Sequence, residues 1–157
     1  MTLRIAGEGP ERPKLEALAR RLRIADSVEL RGWVEHEALP AFLQDLDVFV
    51  LPSTYEGFGV AAVEASAMAL PVVATNVYGI PDVVRDRLTG LLVPSKDAAA
   101  LAGAIGRLVE DASLRRSLGQ AGRDYVASHY DWRENIAQME AIYAGAGSGR
   151  GSKVAVL

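Results

Sequence analysis

The chain has 157 residues, 50% of them apolar, and a formal net charge of −3. That length suits one domain with a full apolar core, and the composition excludes wholesale disorder. The absence of cysteine excludes disulfides, thiolate nucleophiles and cysteine-ligated metals, and two histidines argue against a histidine-rich metal site. The acidic balance argues against nucleic acid as a partner. The apolar stretches are too short to cross a bilayer and no signal-peptide pattern opens the chain, so a cytoplasmic location is expected.

The first part of the chain alternates β-prone and helical segments. Apolar, β-prone runs predict five strands, at residues 2–6, 28–31, 47–51, 71–75 and 91–93. Apolar residues at helical spacing predict helices around residues 15–22, 39–46 and 60–69, and Pro81 is expected to open a short one. Such alternation is typical of an α/β domain in which helices cover both faces of a doubly wound, Rossmann-like parallel sheet.

The last part of the chain changes to three helical stripes without strands between them, at residues 101–109, 114–125 and 132–143. Ser95 and Asp131 are predicted as N-terminal caps or the residues before them. A Gly/Ser-rich linker then covers residues 145–152, and a short apolar tail follows at 153–157. The predicted domain therefore spans residues 1–144, with linker and tail at 145–157.

The loop at residues 52–59 carries the clearest sign of a binding site. Ligands of parallel α/β sheets bind at the carboxyl ends of the strands, where this loop lies. Gly57 and Gly59 flank Phe58 and allow the backbone to approach a ligand closely. The helix that begins near Gly59 offers the backbone N–H groups of residues 58–61 to a phosphate.

Two glutamates accompany this loop. Glu56 lies on its ligand side, and Glu64 lies within the following helix, where its carboxylate would accept hydrogen bonds from a ribose diol. A simpler interpretation remains open, because Gly-x-Gly before a helix is common, Glu56 also fits a helix cap, and Glu64 also fits a solvated face.

Several motifs together resemble the C-terminal domain of retaining glycosyltransferases with the GT-B fold, the group 1 family. The resemblance covers roughly residues 3–143 and is carried most strongly by two glutamates with seven residues between them. The matching motifs are Gly7-Glu-Gly9-Pro10, Arg31-Gly32-Trp33-Val34, Glu56-Gly-Phe-Gly-Val-x3-Glu64-Ala, Ala69-Leu-Pro71-Val-Val-Ala-Thr75, Gly79-Ile-Pro81, Thr89-Gly90-Leu-Leu-Val-Pro94 and Tyr130-Asp131-Trp132.

The resemblance implies a role for each residue of the loop. Glu56, the expected catalytic residue, would hold hydroxyls of the donor sugar, and the amides of Phe58 and Gly59 would contact the same sugar. The amides of Val60 and Ala61 would hold the distal phosphate.

Further roles fall on residues outside this loop. Glu64 would bind the ribose, and Trp33 and Val34 would line the base pocket, although packing is an equally good interpretation of Trp33. Gly7, Gly9 and Pro10 would shape a turn. His36 and His129 match no catalytic position, so a cap or surface role is expected for both.

The reaction that the resemblance implies is sugar transfer from a nucleoside diphosphate to an acceptor hydroxyl with retention of configuration. No protein nucleophile, cofactor or metal is expected, since the leaving phosphate takes the acceptor proton. The protein would contribute positioning and stabilisation of the departing charge.

The sequence departs from the family in three respects. Tyr78 and Asp82 stand where the family usually has Gly and Glu, which puts the sugar preference in doubt. The N-terminal acceptor-binding domain is absent, so this chain is expected to be inactive alone, and any peripheral membrane contact would come from the absent half. An earlier central strand and the Arg and Lys after it are also absent, so weak donor binding is expected. The tail at 153–157 is a candidate to fill that slot.

Two other functions compete with the donor-binding domain. One is a non-catalytic nucleotide-sugar-binding or assembly module. The other is a sugar-nucleotide epimerase of the same overall fold, against which the scarcity of histidine argues.

Overall fold

A computed structural model describes residues 1–147 of the chain. The chain divides into two compact units, Met1–Leu46 and Asp47–Leu157. The second unit is described as far as residue 147. The domain boundaries expected from the sequence remain a prediction.

The first unit is built on two parallel strands. β1 (Leu3–Ala6) pairs with β2 (Val28–Gly32), with Leu3 opposite Val28. The connection between them contains α1 (Arg12–Arg21), and α2 (Leu39–Gln44) follows β2. A proline stands at the start of each helix, where its missing N–H costs nothing.

The second unit is built on three parallel strands in the order β3 (Phe49–Leu51), β4 (Val72–Thr75) and β5 (Gly90–Val93). All four residues of the central strand β4 are buried. This burial explains its run of small and β-branched apolar residues, which is typical of a strand covered on both faces.

Helices follow each strand of the second unit. Their bounds are α3 (Val60–Ala67), α4 (Ile80–Val83), α5 (Ala98–Glu110), α6 (Ala112–His129) and α7 (Trp132–Gly147). The main core packs Val73, Leu91 and Val93 of the sheet against Ala104, Leu108 and Leu118 of α5 and α6. Gly119 brings α6 close to the end of α3, since a Cβ there would overlap the carbonyl oxygen of Ala69.

Aspartates cap the long helices. The Asp97 side chain accepts a hydrogen bond from the Ala100 amide, and Asp111 accepts from the Ser113 and Leu114 amides. Asp131 accepts from the Arg133 amide at 2.8 Å, which confirms it as a cap. Ser95 is not the cap of α5: residues 95 and 96 form a turn, and Ser95 lies two residues before the cap, Asp97.

The predicted element order is confirmed, including the short helix opened by Pro81. The strands form two parallel sheets rather than one, since β1 pairs with β2 and β3 with β4 among residues 1–147. α7 continues to Gly147, three residues into the segment predicted as a linker. The rest of the linker and the tail at 153–157 lie outside the described residues. Within the part that is described, no helix is long and apolar enough to cross a membrane.

Candidate functional site

The loops after β3 and β4 are held together at the carboxyl edge of the second sheet. The buried Thr75 hydroxyl, at the end of β4, donates a hydrogen bond to the Ser53 carbonyl. The Asn76 amide donates to the Val93 carbonyl of β5 at 2.7 Å. The three strand ends are thus tied to one another where a ligand of such a sheet would bind.

Gly59 fixes the turn from the loop into α3. It is the N-cap residue of that helix and has a φ of +93°, a backbone conformation that residues with a side chain rarely adopt. A Cβ at this position would lie 2.9 Å from Cδ1 of Ile80. The backbone conformation therefore favours glycine strongly, and a side chain here would also have to displace the end of the Ile80 side chain.

Gly79 joins the two loops backbone to backbone. Its amide donates to the Glu56 carbonyl at 3.2 Å. A Cβ at Gly79 would overlap the Gly57 carbonyl oxygen and lie 2.9 Å from the Phe58 Cα. The segment at residues 56–58 therefore has a backbone position defined by the next loop along the chain.

The start of α3 is open to a ligand. The first helical hydrogen bonds run from the Ala62 and Val63 amides to the Gly59 carbonyl. The amides of Val60 and Ala61 precede them at the positive end of the helix, and both residues are exposed. Glu56 and Glu64 are half-buried, one before this helix start and one within the helix. This combination suits a negatively charged group flanked by hydroxyls.

An aromatic cluster supports the loop from one side. The rings of Phe58 and Tyr130 meet edge to face with centroids 5.3 Å apart. The hydroxyls of Tyr130 and Tyr125 both donate to the Asp82 carbonyl, at 2.8 and 2.9 Å. Burial and the neighbouring Tyr125 raise the pKa of the Tyr130 hydroxyl above 10.0.

Sequence reasoning missed this cluster. The sequence places Tyr125 in a helical stripe and Tyr130 in a family motif, and neither pattern indicates that their hydroxyls meet at Asp82. The sequence does contain one signal for the cluster: His129 and Tyr130 follow Tyr125 by four and five residues, a spacing that brings aromatic rings together at the end of a helix.

The residues expected in the base pocket belong to the first unit. Trp33 and Val34 follow β2, and Trp33 is 68% exposed. Their assignment to the base stays a prediction, as do the roles given to the loop residues of the second unit.

The two histidines lie at the surface. His36 is exposed in a short 3₁₀ turn before α2. His129 ends α6, with its ring stacked on Tyr125 and Nδ1 2.9 Å from the Tyr125 carbonyl. Across residues 1–147, no group of three or more His, Asp or Glu side chains could hold a metal ion.

Known proteins are similar to this chain in sequence and in fold. Residues 1–125 match the family described as Glycosyl transferases group 1. The chain is 34% identical to an alpha-D-kanosaminyltransferase of Streptomyces kanamyceticus, over 88% of this chain and 36% of that protein. It is 33% identical to a GDP-mannose-dependent alpha-(1-6)-phosphatidylinositol monomannoside mannosyltransferase of Mycolicibacterium smegmatis, over 91% of this chain and 39% of that protein.

The structure is similar to sucrose-phosphate synthase from Thermosynechococcus elongatus, with a TM-score of 0.85 and 36% identity. That match covers 94% of this chain and 39% of the synthase. The fold and the comparisons together define the class of this protein, the glycosyltransferases with the GT-B fold. The chain belongs to the group 1 family of these enzymes, and it spans somewhat more than a third of the length of the two curated relatives.

Proposed function

We propose that this chain is the donor-binding part of a retaining glycosyltransferase, which moves a sugar from a nucleoside diphosphate to an acceptor hydroxyl. One observation carries the proposal. The open N-terminus of α3 follows Glu56, and Glu64 lies one helical turn after the start of that helix. A helix start binds phosphate through backbone amides and its positive dipole end. The glutamates provide acceptors for hydroxyl groups of the sugar and the ribose.

From Glu56 to Glu64, the proposed roles run along the donor from its sugar to its ribose. Glu56 and the amides of Phe58 and Gly59 bind the donor sugar, and the amides of Val60 and Ala61 bind the distal phosphate. Beyond this loop, Glu64 binds the ribose, while Trp33 and Val34 contribute to the base pocket. The GDP-mannose dependence stated for the mycobacterial relative supports a nucleotide sugar as donor.

The mechanism requires positioning rather than a protein nucleophile. As the glycosidic bond to phosphate breaks, negative charge grows on the diphosphate at the start of α3. The helix amides, fixed by Gly59 and by the Gly79 contact, stabilise that charge without reorganising. The departing phosphate oxygen accepts the proton of the attacking hydroxyl on the same face of the sugar, which retains the configuration. No metal or other cofactor takes part in this proposal.

The acceptor site belongs to a second domain in this proposal. The relatives are more than twice as long as the matched region, which supports such a partner domain. Without that domain the chain is expected to transfer no sugar. A cytoplasmic location is part of the same proposal.

Ligand-observed NMR with GDP-mannose, GDP, UDP-glucose and UDP tests the proposal. Replacing Glu64 with Ala should raise the Kd of the nucleotide that binds by roughly 10- to 100-fold, through loss of charge-assisted hydrogen bonds. Glu64→Gln keeps the shape of the side chain, so a similar loss in that variant locates the effect in the charge.

Glu56→Ala should weaken binding of the nucleotide sugar more than binding of the free nucleotide, since Glu56 contacts the sugar in this proposal. Glu110→Ala, at the exposed end of α5, is the matched control and should change neither Kd. An unchanged Kd in both Glu64 variants would contradict the ribose role, and wild-type chain without affinity for any of the four compounds would contradict donor binding.

A further inference from the structure

Two exposed tyrosines stack on each other beside the loop that contains Glu56. The rings of Tyr55 and Tyr78 have centroids 6.1 Å apart and planes inclined by 26°. Tyr55 is 76% exposed and Tyr78 is 81% exposed. The pair therefore presents aromatic surface to solvent and takes no part in the core.

The backbone at Tyr78 is unusual for a bulky residue. Its φ is +28°, in the region that favours glycine. The strain is not offset by burial of the ring. Strained residues cluster at ligand-binding sites, and Tyr78 lies in the loop after β4, at the sheet edge where a ligand of such a sheet binds.

The backbone holds both tyrosines next to the proposed sugar-binding residue. Tyr55 immediately precedes Glu56, and Tyr78 immediately precedes Gly79, whose amide donates to the Glu56 carbonyl. The close packing of Gly79 on Gly57 fixes this juxtaposition. A ligand held by Glu56 thus lies near aromatic surface with a defined backbone position.

We propose that Tyr55 and Tyr78 form an aromatic platform for a pyranose ring. One face of a pyranose is a row of C–H groups that packs on an aromatic ring, while its hydroxyls need acceptors such as a carboxylate. The platform and Glu56 supply these two kinds of contact together. This inference rests on the proposed function and adds two specificity-determining residues to it. The pyranose belongs either to the donor or to an acceptor whose remaining contacts come from the second domain, and both have the same chemistry.

Saturation-transfer and chemical-shift NMR of the 157-residue chain distinguish these sources. One sample contains UDP-glucose or GDP-mannose, another contains the matching free nucleotide, and a third contains nucleotide with methyl α-D-glucopyranoside. A ring stacked on tyrosine shows upfield shifts of its C–H protons, a signature that a merely structural role of the tyrosines does not produce. Shifts on the nucleotide sugar identify the donor, and shifts on the methyl glucoside identify the acceptor.

The variants Tyr78→Gly and Tyr55→Ala should abolish the upfield shifts and lower affinity for that sugar by about threefold to tenfold relative to the free nucleotide. Tyr78→Phe keeps the ring and should preserve both the upfield shifts and the affinity. Tyr143→Ala, which removes an exposed tyrosine on α7, is the matched control and should change nothing.

Three results would overturn the platform. If wild-type chain binds nucleotide but neither sugar shows upfield shifts, or if the Tyr55 and Tyr78 variants keep them, the platform is refuted while the proposed function survives. If wild-type chain binds no nucleotide and no sugar, both fail together.

Discussion

Residues 1–46 and residues 47–147 share the same alternation of strands and helices but differ in how much apolar surface they bury. In the first unit Ala19 and Leu43 are the buried apolar residues, and the helical stripe of Leu15, Leu18 and Leu22 is 39–56% exposed. In the second unit, three strands and the helices that pack on them bury all the other apolar core residues of the described chain. The comparison shows that amphipathic pattern alone does not make a core. A two-stranded sheet offers too small an apolar surface to cover a helix.

The largest effect should come from truncating a leucine in each unit. Leu108 is 0% exposed in the core of the second unit, so Leu108→Ala should lower the free energy of unfolding by about 2–5 kcal/mol. Leu18→Ala, at 39% exposure in the first unit, should cost less than about 1 kcal/mol. Urea unfolding followed by circular dichroism measures both. Equal costs would show that the first unit has a core of its own.

A smaller effect should come from the helix caps. The Asp111 carboxylate accepts from two amides at the start of α6, so Asp111→Ala should lower the free energy of unfolding by about 0.5–2 kcal/mol. Glu11 stands at the same position of α1 without a side-chain cap bond. Glu11→Ala should therefore change stability by less than about 0.5 kcal/mol. The same unfolding assay applies, and a larger loss for Glu11→Ala would reverse this difference between the units.

The smallest effect should appear only at alkaline pH. The pKa of Tyr130 is raised above 10.0 in the folded chain, so its contribution to stability is complete below pH 10. It is lost as pH rises through the folded pKa, because the ionised oxygen can no longer donate to the Asp82 carbonyl. Unfolding measured at pH 8 and at pH 10.5 should show a smaller alkaline loss for Tyr130→Phe than for wild type.

This alkaline effect also separates the two units. Residues 1–46 contain no tyrosine, so an alkaline loss of structure there would have another origin. An identical pH dependence in wild type and Tyr130→Phe would exclude Tyr130 as its source.

Element order was predictable because hydrophobic period and proline or glycine boundaries are local properties of the sequence. The cap of α5 was not, since the choice between Ser95 and Asp97 depends on a turn at residues 95 and 96. In the candidate site, the sequence and the family motif identified Gly59 and the two glutamates. The Tyr130–Asp82 hydrogen bond joins residues 48 positions apart, and no local pattern indicates it.

The contact between Gly79 and the Gly57 carbonyl has a consequence for protein engineering. Specificity is often altered by exchanging a surface loop between related enzymes. Here a graft that brings a side chain to position 79 would push the neighbouring loop away from the start of α3. The two loops must therefore be transplanted as one unit, and libraries that randomise the proposed sugar site should leave position 79 as glycine and vary position 78 instead.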